Sequence, residues 1–379
     1  TRLHETVQAS RRSAWRGPVI NGGNCLGVLS RPGHYDTMFI PPHKLGTTVG
    51  GASPLAMISQ SGAFAVSRAT ELGGIRPMYS VTVGNQMDLT IGDYLQYLEA
   101  DHDLRVFGVY VEGFRPLDGV ASLEAIERIT ASGRTVIVYR AGRTHEGAKA
   151  TASHTASLTG DYRVTRELAE AAGAIVASTL DEFTDLVALF TLLRMKTVSG
   201  RRVGAVSNAG YECVAVADHL GTLDLPEFSA TTRARLSALF DVSHIGQIVD
   251  VHNPLDLTPM MDDSGYETAV RRVLEDSQVD VAIVGCIPVT ATLNTLAAGP
   301  EHNEDLLRYD SYASRLVRLK EESPKAWVAV VDAGPLYDPL AGRLQAAGVP
   351  VGRPRDAAAE SVRRGTAPAR GPSGGDVGG

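Results

Sequence analysis

Cysteine is scarce in this sequence, and no cysteine motif is present. Its three cysteines, Cys25, Cys213 and Cys286, lie far apart in a chain of 379 residues, without a Cys-x-x-Cys pair. This distribution argues against a disulfide framework or a cysteine-based zinc site, and it suits a reducing compartment. Long apolar runs are also missing: stretches such as residues 186–193 are far shorter than the about 20 residues that span a bilayer. Since no charged and apolar leader opens the chain, these absences predict a cytoplasmic protein that does not enter a membrane.

The chain also lacks an excess of basic residues and the familiar ligand motifs. Its formal net charge of −7 argues against a nucleic-acid partner, whose phosphates would require a basic surface. Neither a Gly-x-Gly-x-x-Gly turn nor a Walker-type phosphate loop occurs, and there is no His-x-x-x-His spacing. The sequence therefore predicts no metal site and carries no nucleotide-binding signature of its own.

Glycine and proline residues separate short apolar runs from longer helical patterns along most of the chain. The apolar runs predict strands at residues 54–58, 77–83, 106–111, 135–139, 174–177, 203–206, 279–284, 327–331 and 349–351. Because helical segments alternate with these strands, the expected fold class is α/β, with parallel sheets covered by helices on both faces. A polar, basic segment at residues 196–202 predicts a domain boundary near 197–201, and the tail from about Arg363 is expected to be disordered.

Two turns join a predicted strand to a predicted helix and could bind an anion. The first is Ser59-Gln60-Ser61-Gly62, and the second is Ser207-Asn208-Ala209-Gly210. Backbone N–H groups and the helix dipole favour a phosphate at such a position. The alternative is that the serines are ordinary helix N-caps. Local sequence alone favours the cap.

Residues 140–160 predict a long polar loop, in a domain whose other connections are short, and such loops are often functional. His145 has charged neighbours and is interpreted as a solvated side chain. His154, between Ser153 and Thr155, is either a nucleophile or an ordinary loop histidine. Glu112 follows a buried strand, where a carboxylate can orient a histidine, or alternatively faces water.

Taken together, these segments resemble the NDP-forming acyl-CoA synthetases, which include ADP-forming acetyl-CoA synthetase and the succinyl-CoA synthetase α subunit. The resemblance runs from about residue 18 to 362, in the family's order. The segments that carry it are Asn24–Gly27, Ile58–Ala63, Val83–Asn85 with Asp88, Tyr110–Gly113, Gly142–Thr144 with Ser153–Leu158, Ser207–Gly210, Asn253–Leu257 and Gly334–Asp338.

The resemblance implies two flavodoxin-like (succinyl-CoA synthetase-like) parallel-sheet domains and a phosphoryl-transfer function. Residues 1–30 would be a remnant of a CoA-binding Rossmann-like domain, 31–197 and 198–362 two ligase-type domains, and 363–379 the disordered tail. The family forms or uses an acyl-CoA through an acyl phosphate and a phosphohistidine. His154 matches that histidine, and Glu112 matches the glutamate that holds it. The turns Ser59–Gly62 and Asn208–Gly210 would bind phosphate, and Asn24 and Cys25 match the CoA-binding edge.

The same resemblance implies which cofactors and partners act with the chain. CoA is expected to bind weakly, or through the part of its domain that this sequence does not contain. ATP or ADP, with magnesium, would bind an ATP-grasp β-type subunit on a partner chain. A small carboxylic acid is the second substrate, and assembly with further copies of the same chain is an open alternative.

Three positions depart from the family pattern and support an alternative function. Gly23 replaces a proline, Ala156 replaces a glycine after His-Thr, and Glu212 brings a negative charge to the second phosphate turn. These changes favour a non-catalytic binding or regulatory module that retains the ligase fold, whereas His154 and Glu112 favour an enzyme. A flavodoxin-type redox protein has little support, because no cofactor-stacking aromatic pattern is present.

Overall fold

The computed structural model describes residues 2–15, 17–45, 51–155, 160–196, 198 and 200–352, without the side chains of His4, Pro42 and residues 152–155. The chain divides into two compact units between Val187 and Ala188. Among the described residues, none of the helices combines the length and the apolar character that crossing a bilayer requires.

The first unit contains a seven-stranded sheet in the order β2-β1-β4-β3-β5-β6-β7. Its strands are β1 (Val28–Ser30), β2 (Tyr35–Asp36), β3 (Ser53–Ser59), β4 (Pro77–Thr82), β5 (Val106–Val111), β6 (Thr135–Arg140) and β7 (Ile175–Ala177). Its helices are α1 (Arg2–Arg11), α2 (Gly62–Glu71), α3 (Ile91–Leu98), α4 (Asp118–Ala131), α5 (His145–Thr155), α6 (Tyr162–Ala171) and the first part of α7 (Leu180–Leu193). Strands β3 to β7 are parallel, and β1 joins β4 in the antiparallel direction.

The second unit contains a five-stranded parallel sheet in the order β12-β11-β10-β8-β9. Its strands are β8 (Val203–Ser207), β9 (Leu255–Asp256), β10 (Val281–Cys286), β11 (Ala326–Val331) and β12 (Val351–Gly352). Its further helices are α8 (Gly210–Asp218), α9 (Ala230–Val242), α10 (Asp263–Glu275), α11 (Tyr312–Glu322) and α12 (Asp338–Ala346).

Both parallel sheets have the flavodoxin strand order 2-1-3-4-5, counted from β3 in the first unit and from β8 in the second. The predicted α/β class, with parallel sheets covered by helices, is therefore confirmed. The central strands carry almost only apolar side chains, and all six residues of β10 and of β11 are buried. Two-sided burial of this kind is why these strands read as continuous apolar runs in the sequence.

Two features differ from the sequence-based expectations. Residues 145–155 form α5, so the prediction of a long polar loop was wrong for these residues. Ala148 and Ala150 are strong helix formers, and Thr144 stabilises the start of the helix by accepting the N–H of Gly147 at 3.0 Å. The units also separate within α7, whereas the predicted boundary at 197–201 follows that helix. The tail from residue 363 lies outside the described residues.

Candidate functional site

In each unit, the candidate turns lie where the strand order reverses. In the first unit, the turn after β3 and the end of β5 are neighbours, because these strands pair in parallel register. In the second unit, the turn after β8 and the end of β10 are neighbours for the same reason. A crevice at the carboxyl ends of such strands is the usual ligand site of an open α/β sheet.

The first turn is closed by two serine hydroxyls. Ser61 is the N-cap of α2, since its Oγ accepts the N–H of Phe64 at 3.3 Å. Ser59 Oγ accepts the N–H of Ser61 at 3.2 Å and donates to the Ser61 carbonyl at 2.6 Å. The N-cap interpretation is thus correct for Ser61, and it leaves the N–H groups of Gly62 and Ala63 at the positive end of α2.

A glycine is required at position 62 because the turn packs against the segment upstream of β1. A Cβ atom on Gly62 would lie 2.9 Å from Cβ of Leu26. Leu26 is itself fixed by its N–H, which donates to Oγ1 of Thr82 at 2.8 Å. This close approach explains the glycine of the Ser-Gln-Ser-Gly motif by packing.

Gln60 connects the first turn to the end of the neighbouring strand. Its Oε1 accepts the backbone N–H of Glu112 at 2.8 Å and that of Gly113 at 3.0 Å. Its own N–H donates to the carbonyl of Tyr110 at 3.0 Å. With a side chain only 4% exposed, Gln60 holds the candidate carboxylate beside the start of α2.

Glu112 is buried, with 6% of its surface exposed, so it does not face water as the alternative reading required. The hydroxyl of Tyr110 donates to Glu112 Oε1 at 3.2 Å. The Tyr110 ring is stacked between Phe64 and Tyr139, at centroid distances of 4.1 and 5.8 Å. Burial and the nearby charge of Glu112 raise the pKa of Tyr110, which therefore stays a hydroxyl donor.

Arg140, the last residue of β6, lies close enough to Glu112 to feel its charge, and no role for it was predicted from the sequence. Its side chain is buried, and it donates to the carbonyls of Ala141 and of Gly160, the latter at 3.2 Å. Burial lowers the pKa of its guanidinium, while the charge of Glu112 opposes that shift. In the sequence, Arg140 directly follows the predicted strand at 135–139, just as Glu112 directly follows the predicted strand at 106–111. This shared pattern could have identified Arg140 as a candidate residue.

The second turn has the same amide connection as the first. Asn208 Oδ1 accepts the N–H of Ile287 at 2.8 Å, and its Nδ2 donates to the carbonyl of the same residue at 2.9 Å. Ser207 Oγ accepts the N–H of Ala209 at 3.1 Å. Ala209 is the N-cap of α8 and has no capping side chain, so the N-cap alternative fails for this turn.

Glu212 lies in the first turn of α8, as expected, but its carboxyl group is turned inward. The side chain is 6% exposed and accepts a hydrogen bond from the hydroxyl of Ser207. Burial, with a smaller contribution from Asp332, raises the pKa of Glu212 to about 7, and the Ser207 bond opposes this shift. Below that pH the group is mostly neutral, which weakens the expected repulsion of a phosphate.

The remaining candidate residues are placed only in part. His154 belongs to the last turn of α5, but its side chain lies outside the described residues, as does Ala156. Asn24 is exposed and Cys25 half-buried, in a turn fixed by the Asn21 amide, which donates to the carbonyl of Thr82 at 2.9 Å. Within the described ranges, no group of three or more His, Cys, Asp or Glu side chains could hold a metal ion.

Comparison with known proteins gives a consistent result. Residues 52–190 match the family described as the succinyl-CoA ligase-like flavodoxin domain. The α subunit of an ADP-forming acetate–CoA ligase II from Pyrococcus furiosus is 29% identical over 349 residues, 90% of this chain and 70% of that protein. The α subunit of ligase I from the same organism is 30% identical over 285 residues, 74% of this chain and 58% of that protein.

Solved structures show the same fold. The dinucleotide-forming acetyl-coenzyme A synthetase 1 of Ca. Korarchaeum cryptofilum, in complex with phosphate and ADP, matches with a TM-score of 0.78 and 23% identity, over 96% of this chain and 73% of that one. PH0766 from Pyrococcus horikoshii OT3 matches with a TM-score of 0.73 and 22% identity, over 96% and 74%. Residues 52–190 thus match the succinyl-CoA ligase-like flavodoxin domain, and the resemblance of this chain to the NDP-forming acyl-CoA synthetases, predicted from its motifs, is confirmed.

Proposed function

We propose that this chain is an α-type subunit of an NDP-forming acyl-CoA synthetase, an acid–thiol ligase that works through an acyl phosphate and a phosphohistidine. The single observation that carries the proposal is the buried carboxylate of Glu112, held beside the N-terminus of α2 by the Gln60 amide. The α-subunit relatives support the reaction class.

In the proposed reaction, an imidazole nitrogen of His154 attacks the phosphorus of the acyl phosphate. The bond from phosphorus to the acyl oxygen breaks, and the carboxylate leaves with its electron pair. The phosphoryl group then passes from the histidine to a nucleoside diphosphate on the partner chain. Glu112 would accept the N–H of the other ring nitrogen, which fixes the tautomer and stabilises the imidazolium that forms.

The first turn suits the phosphoryl oxygens better than the second. The first turn of α2 has no acidic residue, so the N–H groups of Gly62 and Ala63 present an undisturbed positive helix end. In the second unit, Gly210 lies close to the carboxylate of Asp256, whose Oδ2 would be 3.0 Å from a Cβ at that position. We assign phosphate binding to Ser59, Gln60, Ser61 and Gly62 first, and to Asn208, Ala209 and Gly210 second.

CoA and a nucleotide are the other groups that this function requires. Asn24 and Cys25 would contact CoA from their exposed turn, which is anchored on Thr82. Since the relatives that this chain matches include α subunits, we assign ATP or ADP, with its magnesium, to an ATP-grasp β-type partner subunit. A small carboxylic acid is the proposed acyl donor, and the proposed location is the cytoplasm.

The second candidate is a binding or regulatory module that keeps the fold without turnover, and the acidic environment of the second turn favours it. Incubation of the full chain with acetyl [³²P]phosphate separates the two. The enzyme is expected to take up label that is acid-labile and base-stable, as a phosphohistidine is. A folded chain that binds acetyl phosphate but takes up no label would support the non-catalytic module.

A further inference from the structure

Gln86 is a buried glutamine in the turn that follows β4, with only 1% of its surface exposed. Its Nε2 donates to the carbonyl of Gly113 at 3.0 Å. Its Oε1 accepts the N–H of Ile91, the first residue of α3, at 3.1 Å. Both polar atoms of the side chain therefore have partners, and one of these partners is the residue directly after Glu112.

The contact from Gln86 to Gly113 passes the end of a strand that lies between them. In the sheet, β3 separates β4 from β5, so a side chain that joins the turn after β4 to the end of β5 spans the carboxyl end of β3. Arg115 makes a second bond in the opposite direction, because its Nε donates to the carbonyl of Gln86 at 2.8 Å. Two hydrogen bonds thus attach the segment after Glu112 to this turn.

Gly113 is consequently held by two buried amides from two different strand ends. Gln60 Oε1 accepts its N–H at 3.0 Å, and Gln86 Nε2 donates to its carbonyl at the same distance. The peptide groups on both sides of Gly113 are fixed in this way. The backbone from which the Glu112 carboxylate extends is therefore fixed relative to both β3 and β4.

The backbone of Gln86 has an unfavourable conformation. Its φ of +49° lies in the left-handed region, which residues with a Cβ atom adopt only rarely. Such a conformation persists where the surrounding contacts impose it, and it is concentrated at functional sites. The start of α3 does not explain it, because Thr90 and Asp93 already form a capping box there.

The second unit shows which of the two amides belongs to the fold alone. Asn208 occupies the position of Gln60 and binds the backbone of Ile287 through its side-chain amide. By the strand registers, Ile287 is the counterpart of Glu112. The first amide is thus present even where an apolar side chain replaces the carboxylate, as expected of a contact that the fold itself requires.

The second amide, in contrast, has no counterpart in the second unit. Counted from the register partners on β4 and β9, Met260 is the residue that corresponds to Gln86. Its side chain is 52% exposed, and a thioether has no N–H to donate. Gln86 therefore occurs in the unit that carries the buried carboxylate, and this pairing indicates a contact that serves the site.

We propose that Gln86 is a positioning residue for the phosphoryl transfer, an inference that rests on the proposed function. Together with Gln60, it holds the backbone of Glu112 so that the carboxylate stays where it can orient the attacking imidazole. Gln86 touches no reacting atom, and the phosphate turn at Ser61 and Gly62 does not depend on it. Its loss should therefore slow the transfer step and leave the binding of the acyl phosphate unchanged.

Two substitutions separate the donor of Gln86 from its acceptor. Gln86→Glu keeps an oxygen for the N–H of Ile91, but its other oxygen can donate to the Gly113 carbonyl only while the carboxyl is protonated. Burial raises the pKa of such a carboxyl, so this variant makes the contact dependent on pH. Gln86→Leu removes both bonds. Gln278→Glu is the matched control, since Gln278 is exposed and contacts only Arg202 in the second unit.

Labelling of the full chain by acetyl [³²P]phosphate, on both sides of neutral pH, tests the proposal. The rate of each variant at saturation is divided by the wild-type rate at the same pH. For Gln86→Glu this ratio is expected to approach that of the control at acidic pH and to fall about tenfold as the pH rises. The half-saturating concentration of acetyl phosphate should stay at the wild-type value, and Gln86→Leu should be slow at every pH.

The possible failures of the proposal and of the proposed function are distinct. A wild-type chain that is labelled, with a ratio for folded Gln86→Glu that does not change with pH, would overturn the role of Gln86 alone. A rise in the half-saturating concentration with an unchanged rate at saturation would also overturn it, since Gln86 would then serve binding. A folded wild-type chain that takes up no label would overturn the proposed function and this role together.

Discussion

The side-chain oxygen Oε1 of Gln60 accepts the backbone N–H of Glu112 at 2.8 Å, across the crevice between β3 and β5. The Gln60 amide thereby fixes the backbone position of Glu112, from which its carboxylate side chain extends, relative to the N-terminus of α2. Since Gly113 donates to the same oxygen at 3.0 Å, one buried side chain fixes two successive residues of the site.

Loss of this amide should destabilise the first unit. In Gln60→Leu, two buried N–H groups lose their acceptor, which should lower the free energy of unfolding by about 2–4 kcal/mol. Hydrogen exchange at the Glu112 and Gly113 amides should accelerate at the same time. Gln278→Leu, which removes only an exposed contact to Arg202, is the matched control and should stay within about 0.5 kcal/mol of wild type. Unchanged amide protection in Gln60→Leu would contradict the assigned role.

The Tyr110 hydroxyl should matter for the chemistry more than for the fold. Tyr110→Phe keeps the ring stack and removes one hydrogen bond to Glu112, so stability should fall by only about 1 kcal/mol. The rate of labelling by acetyl phosphate should fall severalfold, because Glu112 loses a contact that orients it. The neighbouring variant Tyr139→Phe removes a hydroxyl from the same stack and should leave the rate unchanged. Equal rates in all three proteins would remove Tyr110 from the site.

The buried carboxyl of Glu212 should make the stability of the second unit depend on pH. Its pKa in the folded chain is raised to about 7, from an ordinary value of 4.5. Between these values the unfolded chain is ionised while the folded chain keeps its proton. The free energy of unfolding should therefore be highest below pH 4.5 and should fall by up to about 3 kcal/mol as the pH rises to 7.

Denaturant unfolding at several pH values, followed by the fluorescence of the buried Trp327, measures this loss. Glu212→Gln should flatten the profile over that interval, whereas Glu227→Gln, at an exposed position, should reproduce the wild-type curve. A wild-type profile that is already flat would show that the carboxyl is ionised throughout.

Arg140 should hold Gly160, which lies just before α6. Its guanidinium donates to the carbonyls of Ala141 and Gly160, which lie on opposite sides of α5 along the chain. Arg140→Met should therefore increase the rate of limited proteolysis between residues 141 and 160 several-fold. Arg166→Met removes an exposed ion pair on α6 and is the control. Equal cleavage rates for the two variants would contradict this role.

The strands were predictable because burial on both sides of a parallel sheet leaves continuous apolar runs. Residues 106–111 and 203–206, for example, are β5 and all but the last residue of β8. The helix α5 was missed because His145–Thr155 has no apolar stripe, and its helical preference comes from alanines that the polar pattern obscured.

The residues of the candidate site that lie in a recognisable turn or at a strand end could be predicted from the sequence. The residues whose orientation depends on tertiary packing could not. Ser59–Gly62 and Glu112 could be selected because strand ends in an α/β fold collect ligand-facing groups. The inward turn of Glu212 was not predictable, since it depends on Gly285, 73 residues later in the printed sequence, having no side chain. The role of Arg140 likewise depends on a carbonyl, that of Gly160, which only the fold brings near.

The most direct test of the central claim is the location of the phosphoryl group after reaction with acetyl [³²P]phosphate. His154→Ala and His145→Ala are matched variants, since they remove histidines from the two ends of the same helix. We expect acid-labile, base-stable label to persist in His145→Ala, to fall sharply in Glu112→Gln and to vanish in His154→Ala. Label that remains in a folded His154→Ala variant would show that His154 is not the phosphoryl acceptor.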